Sequence, residues 1–147
     1  MNLLQKHAKD TDELFDELKK EKHLENYLTR NKNEFMISLD EYLNNLLAEK
    51  NLNKQEVVKK SGLSREYAYH IFAGNRKNPS RPKILAIGIA MDLNLKEMQY
   101  LLKYAKLPPL YPRSQWDSII ISAIEQKLNV IQTNELLHRL GENILLE

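Results

Sequence analysis

The stretch Leu52 to Pro79 constrains the fold most, because the starts and stops of two short helices can be read in it. In LNKQEVVKKSGLSREYAYHIFAGNRKNP, Asn53 is placed to cap the first helix, with Glu56 three residues on to complete a capping box. Gly62 marks the stop, since glycine enters the left-handed region with no Cβ penalty. Ser64 then caps a second helix over 65–73. Val57 and Val58 on the first helix and Ala68, Ile71 and Phe72 on the second supply a buried seam, with Ala68 small where two steeply crossing helices approach. Arg65, Glu66, Tyr69 and His70 fall at i, i+1, i+4 and i+5 and share one outward stripe. Each can hydrogen-bond a base edge.

Helical spacing continues on both sides. Residues 11–31 read as one or two charged amphipathic helices with Leu14, Phe15, Leu18, Leu24, Tyr27 and Leu28 along a narrow apolar edge. Ser38, boxed with Glu41, starts a helix whose inner stripe is Leu39, Tyr42, Leu43, Leu46 and Leu47. A helix starting around Pro82 is apolar on nearly all sides, and Gly88 in its middle predicts a close helix crossing. Asn94 and Glu97 box the next helix. Leu107-Pro108-Pro109-Leu110-Tyr111-Pro112-Arg113 cannot continue it and forms the clearest boundary in the chain. Ser114 opens an apolar helix, and a last one runs over about 131–140 with Leu136, Leu137 and Leu140 expected to face inward. This final pair needs a cover: the preceding core, the N-terminal helices, or a second copy.

Glycine is scarce, with 4 residues in 147, and the apolar fraction is 42%, enough for a core. Both fit an all-α protein. With no cysteine, disulfides, thiolate zinc sites and cysteine nucleophiles are excluded. The polar opening MNLLQKHAKD has no secretory pattern and no apolar run approaches the roughly 20 residues a span needs, so the expected location is cytoplasmic. Net charge is only +2, but its distribution is uneven. Residues 1–50 hold 8 Lys/Arg against 11 Asp/Glu, residues 51–113 hold 12 against 4, and residues 114–147 hold 2 against 5. A basic centre between acidic ends suits a module that faces phosphate.

No enzyme site is visible. His7, His23, His70 and His138 have no metal-ligand spacing, and no glycine-rich phosphate loop, GxSxG or HExxH occurs. Neither a metal nor a cofactor is expected.

The two-helix stretch resembles the helix-turn-helix of the lambda-repressor-like, or XRE, family. The resemblance is carried by Gln55-Glu56-Val57, by Ser61-Gly62-Leu63-Ser64 at the turn, by Tyr67, Ile71 and Phe72, by the Gly74-Asn75-Arg76 exit, and by Asn78-Pro79-Ser80. With supporting helices it covers about 38–105. Many relatives end the second helix with Glu-Asn-Gly, where this chain has Phe72-Ala73-Gly74.

The resemblance implies a five-helix helix-turn-helix domain over 35–106. It would carry an N-terminal helical arm over 1–34, and a Pro-rich linker with a C-terminal helical pair over 107–147. The implied function is a sequence-specific transcriptional regulator that reads the major groove of double-stranded DNA with helix 65–73. Arg65 is then expected to fork onto guanine O6 and N7, and Glu66 to accept from cytosine N4 or to pair with Arg65 or Arg76. Tyr69 would touch a thymine methyl or a phosphate, and His70 lies where many relatives place a base-reading side chain. Gln55, at a position where the family often has glutamine, Ser64, and the exit-loop residues Asn75, Arg76, Lys77 and Arg81 are expected against phosphate. The family mostly works as dimers on two-fold-related half-sites, so a homodimer is expected. The competing expectation is an antitoxin-like or adaptor module that keeps the fold and binds a protein partner through its flanking helices.

Overall fold

Local capping chemistry sets where the elements begin. The computed structural model describes residues 9–76 and 78–146, and every regular element among them is helical. His7 and Lys77 lie outside the described residues. The chain divides into two units, residues 1–37 and residues 38–147. The second unit therefore includes the Pro-rich segment and the C-terminal helices.

In the first unit, Asp10 caps α1 (Thr11–Lys20) by accepting from the Glu13 N–H at 2.7 Å. The helix α2 (Leu24–Arg30) and a single 3₁₀ turn (Lys32–Glu34) follow. Polar pairing holds the two helices together. Glu17 accepts from Lys9 Nζ and from the buried Asn31 Nδ2, while Arg30 reaches Glu21 at 3.0 Å. The hydrogen bonds from Lys9 and then Asn31 pull the Glu17 carboxyl down to about 2. Tyr27, packed edge-to-face on Phe35, is the buried aromatic here. Phe15, Leu18, Leu24, Leu28, Phe35 and Met36 are exposed.

The second unit contains α3 (Leu39–Glu49), α4 (Lys54–Ser61), α5 (Arg65–Ala73), α6 (Arg81–Ala90), α7 (Leu95–Tyr104), α8 (Gln115–Glu125) and α9 (Val130–Arg139). Six consecutive residues of α6, Ile84 to Ile89, are buried, and α6 packs on α4, α7 and α9. A Cβ at Gly88 would overlap the Met98 side chain of α7, which accounts for glycine at the crossing. Asn94 and Glu97 form the expected reciprocal box. The boxes expected at Ser38/Glu41 and Asn53/Glu56 form by half: the cap oxygens accept from Glu41 N and Glu56 N at 3.4 and 3.1 Å. A full box appears instead at Asn129/Gln132, ahead of α9. Tyr42 of α3 stacks on Tyr104 with ring centroids 4.0 Å apart, and burial pushes its hydroxyl well above the ordinary range.

The last two helices are covered by the unit's own core, the first of the three options. α8 packs on α7 and α9 on α6, with Ile120, Ala123, Ile124, Val130 and Leu137 buried. Leu140, expected inside, is 55% exposed; it caps the end of α9 and points outward with Ile131 on the first turn. Leu145 takes an inner place instead, 5% exposed, its N–H donating to Asn134 Oδ1 at 2.7 Å.

Candidate nucleic-acid interface

The corner between α4 and α5 is built from backbone requirements. Gly62 sits at φ +75 and Gly74 at φ +81, each ending a helix in the left-handed region. Buried Ser61 donates to Val58 O at 2.6 Å and accepts from Leu63 N at 3.2 Å, so the turn carries no free polar group there. Ser64 Oγ accepts from Tyr67 N at 3.2 Å. From α3, Asn44 Nδ2 donates to Phe72 O at 2.9 Å, and the Asp40 carboxyl lies where a Cβ on Gly74 would sit. At the other end, Leu146 Cδ1 would be 3.2 Å from a Cβ on Gly62. The C-terminal segment thus buttresses the turn.

On this corner Arg65, Glu66 and His70 are exposed and Tyr69 is half-exposed, all on the stripe that helical spacing predicts. The Arg65 guanidinium lies over the Tyr69 ring, 5.5 Å from its centroid. Glu66 does not pair with Arg65 or Arg76. Between α4 and the start of α5 runs an open notch lined by Gln55, Val58, Lys59, Leu63, Arg65 and Tyr69. Gln55 and Lys59 are exposed along its α4 edge.

A second cationic cluster lies on another side of α5. Arg76 and Lys83 both stack on the Tyr67 ring, at 4.7 and 4.1 Å from the centroid. Lys83, on the first turn of α6, was not among the residues singled out from sequence. Its only local signal is a cation at one of the few polar positions of an apolar helix. Lys59, Leu63 and Tyr67 also escape a reading that looks only for polar residues on the outer stripe.

Compared with known protein families, with characterised proteins and with solved structures, the chain matches none.

One expected phosphate contact is placed differently. Arg81 is taken up inside the unit: Nε donates to Pro108 O at 3.0 Å, Nη2 to Pro109 O at 2.9 Å, and Nη1 and Nη2 to the two Asp117 oxygens at 2.9 Å each. Asp117 is 6% exposed and also accepts from Tyr111 N at 3.0 Å. Burial alone would raise its carboxyl, but Arg81 and the Tyr111 N–H outweigh that and hold it below the ordinary range. In the exit loop, Asn75 N and Arg76 N both donate to His70 O, at 2.9 and 3.2 Å, so these two amides are already taken. The side chains of Asn75 and Arg76 remain on exposed residues. Ser64 is exposed but already serves as the α5 cap. No group of three or more His, Asp or Glu suited to a metal occurs among the described residues, and none of their helices is long and apolar enough to cross a membrane.

Proposed function

We propose that this chain is a sequence-specific DNA-binding transcriptional regulator of the lambda-repressor-like, XRE type, with α3 to α7 as the helix-turn-helix domain and α5 as the reading helix. One observation carries the reading: a two-helix corner, capped at both ends of each helix, presents an uncovered polar stripe flanked on separate sides by cations. Lys59 lies along the notch, and Arg76 and Lys83 gather on Tyr67. Such a corner suits a major groove, with the stripe on base edges and the flanking cations on the two backbones. Arg65, Glu66, Tyr69 and His70 would read bases. Gln55, Lys59, Asn75, Arg76, Lys77 and Lys83 would position the helix on phosphate. The protein would act in the cytoplasm as a homodimer on two half-sites.

The test is enrichment of duplexes from a random pool by the full chain, followed by a salt titration on the best site. A regulator should give one family of related sequences, with affinity that falls steeply with salt. A chain that ignores duplex DNA at moderate salt would refute it. A second reading, a protein-interaction module working through its flanking helices, is favoured by one observation: six large apolar side chains are exposed between Phe15 and Met36. It predicts capture of a partner through residues 1–34 or 114–147 and no duplex selectivity.

A further inference from the structure

The notch between α4 and α5 combines features that a phosphate site does not need. Val58, 5% exposed, lies at its floor, and half-buried Leu63 and the Tyr69 ring wall it. Arg65 stands at its rim with its guanidinium laid over that same ring. In the major groove the one apolar group an unmodified base pair presents is the thymine 5-methyl, and the preferred partner of an arginine fork is guanine O6 and N7. A guanidinium that forks onto guanine lies in the plane of that base. The 5-methyl of the pyrimidine immediately 5′ on the same strand then falls beside it.

We propose that this notch reads a 5-methylpyrimidine followed by guanine, with Arg65 on the guanine and Leu63, Val58 and Tyr69 around the methyl. The inference rests on the DNA-reading function proposed above and names the dinucleotide it takes. Because 5-methylcytosine carries the same methyl at the same ring position as thymine, the notch accepts TpG and methylated CpG and disfavours unmethylated CpG. Binding to a CpG-containing variant of the site is therefore sensitive to cytosine methylation.

The experiment uses the full chain and the best duplex from the random pool. The guanine read by Arg65 is the one whose preference disappears in Arg65→Ala. The pyrimidine 5′ to it is then made thymine, uracil, cytosine or 5-methylcytosine, and affinity is measured for each. Replacing thymine by uracil should cost about four-fold, the worth of one buried methyl-sized group, and methylating the cytosine should recover a similar factor. Leu63→Ser, checked for an unchanged melting transition, should abolish the thymine–uracil difference and keep the guanine preference. If Leu63→Ser does not fold, the four-base comparison decides alone. Equal binding of uracil and thymine overturns the notch reading and leaves DNA recognition standing. Failure to enrich any sequence overturns both.

Discussion

Arg81 offers the sharpest separation of structure from function, because its position beside a cationic loop suggests phosphate while its contacts say otherwise. Its guanidinium makes four hydrogen bonds, two of them to the nearly buried Asp117. Arg81→Ala removes all four. It leaves a buried carboxylate with the Tyr111 N–H still donating. Breaking a fully buried pair costs roughly 3–5 kcal/mol. The Arg81 side chain is 21% exposed, so water can relieve part of that, and about 2–3 kcal/mol is the expected loss. Urea unfolding at neutral pH should show a lower midpoint with an unchanged m-value. Melting should fall by roughly 10 °C for a unit of this size.

The pH dependence has a definite sign. Asp117 titrates below its unfolded value, so its contribution is whole above the ordinary carboxylate range near pH 4 and fades as pH drops through the lower folded value. The stability gap between the parent and Asp117→Asn should therefore be constant from neutral pH to about 4 and narrow below it. At temperatures where Arg81→Ala is folded, its slope of log affinity against log salt on duplex DNA should match the parent's. A variant as stable as the parent, with a slope about one unit shallower, would refute the argument and return Arg81 to the phosphate set.

Lys83→Ala should do what Arg81→Ala does not: weaken all duplexes alike and reduce the salt slope by about one unit. An unchanged slope would remove the Tyr67 cluster from the interface. Arg65→Ala should cost about 1–3 kcal/mol on the selected site and relax preference at one base pair; uniform loss across sequences would make it a phosphate contact instead. Gly88→Ala gains up to about 1 kcal/mol of helix propensity. It also drives a methyl into Met98, itself fully buried, at about 1–3 kcal/mol. Net destabilisation in chemical unfolding is expected, and a stabilised variant would show that Met98 repacks freely.

What could be read in the sequence was local. Asn53, Ser64, Asn94 and Ser114 cap the helices they were expected to cap, because a cap needs only a side chain and an amide three residues away. Gly62 and Gly74 stand at positive φ for an equally local reason. Gly88 was a correct inference of a different kind, since a costly residue in an apolar helix implied a neighbour that needed the space. The failures are non-local. Asp117 lies 36 residues from Arg81, and nothing near Arg81 in the chain distinguishes a buried pair from a solvated cation. The exposure of Leu140 and the burial of Leu145 depend on where the chain turns after Gly141, which helical periodicity does not register.

The same division bears on the site. The outer stripe of α5 follows from helix geometry alone, so Arg65, Glu66, Tyr69 and His70 could be named in advance. The notch and the Tyr67 cluster could not, because each needs residues from a second helix: Gln55, Val58 and Lys59 from α4 in one case, Lys83 from α6 in the other. On the proposed function, discrimination that depends on a shaped apolar surface would belong to the corner and not to α5 alone. Grafting residues 65–73 onto another helix should carry over the guanine preference of Arg65 and lose the discrimination between thymine and uracil. Retention of both by the graft would mean that the methyl is sensed by α5 alone, and that the apolar surface supplied by Val58 and Leu63 plays no part in recognition.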